Sequence, residues 1–197
     1  MTLAPDDPRD LEPGLEHRLR VAAHWVRTGG VVAYPTEAVY GLGCDPWNGE
    51  ATRRILEMKQ RSEAKGLILI AASFEQLNPF VASLEADRMA LILATWPGPY
   101  TWLLPVRPET PAWLKGQHAT LAVRVTAHPL AAALCRAAGR ALVSTSANRA
   151  TRHPARTALE VQLRLGGAAD YLLSGPCGGR AQCSSIRDGR TGRLLRP

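Results

Sequence analysis

The run Leu67-Ile68-Leu69-Ile70-Ala71-Ala72 is apolar at every position. A strand with one wet face alternates polar and apolar residues, whereas a strand covered on both faces need not. Its shortness suits a strand better than a helix. The run therefore predicts a central strand over 67–72, inside a sheet that is mostly buried.

The segments around it alternate. A helix is expected over 15–27, with Leu15, Leu19, Ala22, Ala23 and Val26 on one face and Gly29-Gly30 after its end. A buried strand follows at 31–34, stopped by Pro35. Further helices are expected at 49–59, 85–96, 130–138 and 157–165, and strands at 101–106, 121–125, 141–144, 171–174 and 185–187. The Gly- and Arg-rich stretch 178–197 reads as loops and a short strand near the charged site. No linker, repeat or low-complexity stretch interrupts the alternation. The fold class this predicts is α/β: a single domain with a twisted, mostly buried mixed sheet flanked by helices.

Composition removes several classes. The 197 residues suit one domain with a sizeable core, and 46% of them are hydrophobic. No apolar run approaches the roughly 20 residues that cross a bilayer. Residues 1–12 are acidic and proline-rich, without the basic start and apolar stretch of an export signal. They read as a flexible N-terminal tail, and the protein as cytoplasmic. Cys44, Cys135, Cys177 and Cys183 form no C-x-x-C pair, so no metal site is expected and free thiols are the simplest reading.

Charge is unevenly spread. Residues 1–99 hold 10 Lys/Arg and 13 Asp/Glu, a balance of −3; residues 100–197 hold 14 and 4, a balance of +10. The asymmetry points to an anionic partner. Among 24 basic residues only Lys59, Lys65 and Lys115 are lysine, and two of these flank Arg61. Lysine is a compact point charge on a thin stem, arginine a planar fork. A pocket for several phosphates can use both; a solvated helix end is the alternative.

Three polar segments lie at the ends of expected strands, where open α/β sheets place ligands. The first is Tyr34-Pro35-Thr36-Glu37-Ala38-Val39-Tyr40-Gly41-Leu42-Gly43. Its glycines would let backbone approach a ligand, or the segment would be a tight turn with Thr36 capping a helix. The second is Lys59, Arg61 and Lys65. The third is Ser144-Thr145-Ser146-Ala147-Asn148, either a phosphate cradle or a polar turn. Neither a Walker loop nor a dinucleotide fingerprint occurs. Arg124 ends an apolar strand and so needs an anionic partner, from a ligand or from the protein. His128, before Pro129, reads as structural.

Together these segments resemble the YrdC/Sua5 family, the threonylcarbamoyl-AMP synthases, in its short single-domain bacterial form (TsaC-like). The blocks are P-T-E-x-x-Y-G-L at 35–42, K-x-R at 59–61, A-V-R at 122–124, S-x-S-A-N at 144–148 and S-S-I-R-D at 184–188. One departure is Ala38, where many members have a hydroxyl residue. The resemblance implies a YrdC-like domain over 13–197. It also implies a nucleotidyltransferase that joins L-threonine, bicarbonate and ATP into threonylcarbamoyladenylate, releasing pyrophosphate, for threonylcarbamoyladenosine in tRNA.

The resemblance further implies roles. Lys59 and Arg61 would be catalytic. ATP would meet Lys59, Arg61, Lys65, Thr120, Ser146, Asn148 and Arg196, with Mg²⁺ carried by the nucleotide. Threonine would meet Thr36, Tyr40, Arg124, Ser144 and Ser184. Partners would be tRNA-modification proteins that receive the adenylate, with weak tRNA binding and no membrane. An RNA-binding module acting in tRNA or ribosome maturation is the alternative, carried by the basic C-terminal half and five tryptophans. A carbamoyl-transfer domain of the hydrogenase-maturation type is a second, but those chains carry zinc-finger-like parts absent here.

Overall fold

A computed structural model describes residues 13–149 and 152–196. The expected tail over 1–12 lies outside the described residues. Among the described residues, nine strands form one mixed sheet in the order β7 (Tyr171–Leu172), β1 (Val32–Pro35), β2 (Tyr40–Gly43), β6 (Leu142–Ser146), β3 (Ile68–Ala71), β5 (Thr120–Val125), β4 (Tyr100–Pro105), β8 (Ser185–Asp188), β9 (Leu194–Arg196). The central strand β3 (Ile68–Ala71) pairs parallel with β5 (Thr120–Val125) and antiparallel with β6 (Leu142–Ser146). The apolar run at 67–72 thus lies mid-sheet.

The strands divide their side chains between two cores, as the two-residue repeat of a strand requires. Val32 and Tyr34 of β1 (Val32–Pro35), Ile70 and Leu142 face helices α1 (Pro13–Arg27) and α5 (Pro129–Ala138), which supply Leu19, Ala22, Val26, Leu134 and Cys135. Ala33, Leu69, Ala71 and Val143 face the other way. There they meet Ile55 of α2 (Gly49–Lys59), Ile92 of α3 (Ala86–Leu93) and Val161 of α6 (Ala158–Leu165). Both faces are covered by helices, so the sheet has no reason to alternate polar residues at its centre. No helix among the described residues is long and apolar enough to cross a membrane.

Local signals explain the helix ends. Asn48 caps α2 through its side chain, which accepts from the Ala51 amide at 2.9 Å. Thr157 and Glu160 form a reciprocal capping box on α6. The helix expected over 85–96 ends at Leu93, and residues 95 and 96 turn tightly, their amides donating to Ile92 and Leu93. A short helix α4 (Ala112–Lys115), not expected from the sequence, packs beside β5.

The main difference is β2 (Tyr40–Gly43), which lies outside the strands expected from the sequence, in a segment read as ligand-approaching or as a tight turn. It is a strand paired with β1 and β6. Its glycines serve close packing rather than chain reversal. A Cβ on Gly43 would stand 2.5 Å from the Val143 carbonyl oxygen and 2.8 Å from the Tyr34 ring. Likewise Thr145 and Ser146, expected in a loop, belong to β6 and pair with Leu42 and Gly41. The C-terminal stretch forms β8 (Ser185–Asp188) and β9 (Leu194–Arg196), beside β4 (Tyr100–Pro105). Gly43→Ala should lower stability by about 1–3 kcal/mol through overpacking. An unchanged urea midpoint would show that the gap between β2 and β6 is looser than the distances imply.

Candidate functional site

The β1–β2 connection, the end of β5 and the irregular segment 173–184 converge at one point. Glu37 joins them. Its Oε2 accepts from Arg124 Nη1 at 3.0 Å, and its Oε1 accepts from Thr126 Oγ1 at 2.8 Å and the Ala127 amide at 3.1 Å. Its own carbonyl takes the Arg180 amide at 2.9 Å, and the Thr36 carbonyl takes the Gly178 amide at 3.0 Å. Burial by itself pushes the Glu37 carboxyl up. Arg124 and the hydrogen bonds outweigh it and hold the group below its ordinary value of 4.5.

Arg124 is therefore half satisfied. Its side chain is only 9% exposed, Nη1 is spent on Glu37, and Nε is buried with no partner. The sequence left two kinds of anionic partner open for this residue, and the structure supplies a protein carboxylate while leaving a donor over. Arg124 lines a cleft of about 150 Å³.

Thr36, Tyr40, Arg124, Ser144 and Ser184, expected around threonine, all line this cleft. Their hydrogen bonds differ in what they leave free. Tyr34 donates to Ser144 Oγ at 2.9 Å, so Ser144 keeps its own hydrogen for another acceptor. Thr36 donates to the Val39 carbonyl at 2.7 Å, so its oxygen can only accept. Tyr40 exchanges hydrogen bonds with Gly175 at 2.5 and 3.0 Å. Its ring walls the cleft while its hydroxyl anchors the 173–184 segment. Ser184 Oγ shares a hydrogen with Thr101 at 2.8 Å. Ala38, the departure from the family pattern, also borders the cleft.

The residues expected along ATP are spread more widely. Arg61, Ser146 and Arg196 line the same cleft. Lys65 and Thr120 line a second cavity that shares Arg61, Leu67, Ile68 and Arg196 with the first. Arg61 Nη2 donates to the Gly66 carbonyl at 2.9 Å, while its Nε is buried without a partner. Burial and then the nearby charge of Arg196 push the Arg61 pKa down from 12.5. Two guanidinium groups thus repel each other at the junction of the two cavities.

Lys59 and Asn148 do not border either cavity. The Lys59 side chain is buried behind β6. Its ammonium donates to the Ser146 carbonyl at 2.5 Å, the Asn148 carbonyl at 2.9 Å and Asn148 Oδ1 at 3.2 Å. Burial, helped by the Arg61 charge, lowers its pKa to about 8. Asn148 borders a third, basic concavity with Arg149, Arg152 and Arg164. His128 caps α5: Nδ1 accepts from the Ala131 amide at 3.4 Å, so Nε2 carries the proton and donates to the Pro176 carbonyl at 3.1 Å.

Arg180 and Gln182 also line the first cleft and were not singled out from the sequence. Their segment has no regular structure and no apolar period, so only its path across Thr36 and Glu37 reveals them.

The Sua5/YciO/YrdC family model, described as "Telomere recombination", matches residues 24–197. The chain belongs to this family. It is 59% identical to the threonylcarbamoyl-AMP synthase of Nitrosococcus oceani over 179 residues, 91% of this chain and 97% of that one. It is 55% identical to the threonylcarbamoyl-AMP synthase of Halorhodospira halophila, over 91% and 94% of the two chains. Sua5 of P. abyssi, solved in complex with L-threonine, superposes with a TM-score of 0.86 at 34% identity. That match covers 92% of this chain and 54% of the P. abyssi chain, so the chain spans about half the length of that relative.

Glu37→Gln should cost about 3 kcal/mol at neutral pH, because Arg124 would be left as a buried unpaired charge. The sign of the pH dependence follows from the lowered carboxyl pKa. Below about pH 4.5 the unfolded chain binds more protons than the folded one, so the pair's contribution is complete above that pH. It is lost as pH falls through the lower folded value. Denaturant midpoints from pH 7 to 3 should decline less steeply in Glu37→Gln; parallel curves would contradict an ionised, stabilising Glu37.

Proposed function

We propose that this protein is a threonylcarbamoyl-AMP synthase that joins L-threonine, bicarbonate and ATP, releases pyrophosphate, and works in the cytoplasm for threonylcarbamoyladenosine in tRNA. The observation that carries the reading is the unpartnered Nε of buried Arg124, beside Thr36 and Ser144 and next to uncompensated Arg61 and Arg196. The relatives' shared name and the threonine complex of the P. abyssi Sua5 support it.

The chemistry suits these groups. The Arg124 edge left free by Glu37 takes the threonine carboxylate in a two-pronged contact, with the Ser144 hydroxyl as a further donor. Thr36, an acceptor only, suits the substrate's amine or hydroxyl hydrogen. Bicarbonate takes up a proton and loses water to give CO₂, which the free amine adds, losing a proton to become a carbamate. A carbamate oxygen then attacks the α-phosphorus of ATP, the bond to the bridging oxygen breaks, and pyrophosphate leaves with the electron pair. Both attacking and leaving groups are anionic, so fixed positive charge is the main aid the protein can give. Arg61 and Arg196 lie where the two cavities meet, and Lys65 and Thr120 continue along the second. Lys59 acts from behind, by holding the Ser146–Asn148 turn. Among the described residues no group of three or more His, Cys, Asp or Glu could hold a metal. Mg²⁺ would arrive on the nucleotide, where it would neutralise phosphate charge.

Pyrophosphate release should require threonine and bicarbonate together. Arg61→Gln should lower turnover about 100-fold, as for loss of one charge-stabilising donor, with little change in melting temperature. Arg124→Lys keeps a cation beside Glu37 but removes the fork, so it should raise the KM for threonine far more than that for ATP. Release independent of threonine, or equal KM changes, would refute the assignment.

A second contact rests on the concavity lined by Arg149, Arg152 and Arg164. Arg152 is exposed, whereas Arg164 already pairs with Glu160 at 2.9 Å. We infer weak tRNA binding here, outside the cleft. Arg152→Glu should reduce tRNA retention at low salt and leave threonine-dependent turnover intact. Undiminished retention, or none by the parent protein, would refute it.

A further inference from the structure

The four thiols differ sharply in surroundings. Cys44 and Cys135 are buried, and burial pushes both up to about 12. Cys177 is half-buried, its Sγ donates to the Arg156 carbonyl at 3.4 Å, and burial raises its pKa. Cys183 alone is exposed, and it lies on the wall of the cleft that Arg124 also lines.

The cleft wall is cationic. Arg61, Arg124, Arg180 and Arg196 line it against one carboxylate, Glu37, a balance of +3 from four positive groups and one negative. Arg196 Nη2 donates at 2.9 Å to the carbonyl of Ser184, the residue after Cys183. Arg124, which lines the same cleft with a side chain 9% exposed, keeps a buried Nε without a partner. An anion held by these arginines would lie in a cleft whose wall includes the exposed Cys183.

We propose that Cys183 is a modification site for anionic low-molecular-weight disulfides of the glutathione type, whose carboxylates enter the arginine-lined cleft. The Cys183 thiol gives its proton to solvent, and the thiolate attacks one sulfur of the disulfide. A new S–S bond forms, the reagent's S–S bond breaks, and its other half leaves as a thiolate. The Cys183 sulfur is oxidised and the leaving half reduced, so any thiol reductant reverses the step. The adduct fills space that threonine and the phosphates would occupy. Loss of turnover on modification rests on the proposed synthase activity; adduct formation does not.

The test compares oxidised glutathione, carrying net negative charge, with cystamine, carrying positive charge. Each rate with the folded full chain is divided by that reagent's rate with the urea-unfolded chain, which removes intrinsic reactivity. Mass spectrometry should find one adduct, on Cys183, with a glutathione ratio about five- to tenfold above that of cystamine and a gap that closes as salt rises. Cys183→Ser should take no adduct over the same time. Turnover of the modified parent protein should fall and return with dithiothreitol, while treated Cys183→Ser keeps its own untreated rate. First modification at Cys177, or a cystamine ratio equal to or above that of glutathione, would overturn the proposal. An adduct on Cys183 with undiminished turnover would overturn the filling of the cleft. Absence of threonine-dependent turnover before treatment would instead count against the synthase reading and leave the adduct result standing.

Discussion

The ion pair between Glu37 and Arg124 organises the structure around the cleft. Burying two charges is costly, and the cost is recovered only when each is well hydrogen-bonded. Glu37 meets that condition through Arg124, Thr126 and the Ala127 amide. In doing so it ties the β1–β2 connection to the end of β5 and the start of α5. The 173–184 segment follows, because the Gly178 and Arg180 amides donate to the Thr36 and Glu37 carbonyls. Arg124 is held in place with a donor left over, so one interaction serves stability and leaves binding capacity.

The lysine in an arginine-rich chain has a geometric explanation. The ammonium of Lys59 lies among the Ser146 carbonyl, the Asn148 carbonyl and Asn148 Oδ1. Three donors on a thin stem can satisfy three clustered oxygens, whereas a planar guanidinium cannot fold around them. The same contacts fix the turn after β6, and with it Ser146 at the cleft. Arg61 and Arg196 line the cleft itself, and the charge of Arg196 adds to burial in pushing the Arg61 pKa down. Lys59 thus holds the turn from behind, whereas Arg61 and Arg196 line the cleft, although the sequence groups Lys59 and Arg61 in one basic cluster.

Most elements of the fold were legible because burial on both faces leaves a plain mark. The apolar run at 67–72, the helical faces of α1 and α2 and the glycines after α1 all report local geometry. β2 was not legible, since Gly41 and Gly43 look like turn residues until the closeness of Tyr34 and Val143 is known. Of the expected site residues, those near threonine converge on one cleft, whereas Lys59, Lys65, Thr120 and Asn148 are distributed around it.

The sequence by itself determined the α/β class, the central strand, the cationic character of the C-terminal half and the family to which the blocks point. The first three depend on composition and on periods of two and 3.6 residues, which neighbours in the chain carry; the family rests on the resemblance of five short blocks in order. Tertiary structure alone decided that Arg124 would pair with Glu37, 87 positions away, and keep one donor free. It also decided that Lys59 would turn inward and that Arg180, Gln182 and Cys183 would reach the cleft. The physical reason is the same in each case: charge and hydrogen-bond satisfaction depend on what lies across the fold, and no local pattern records it.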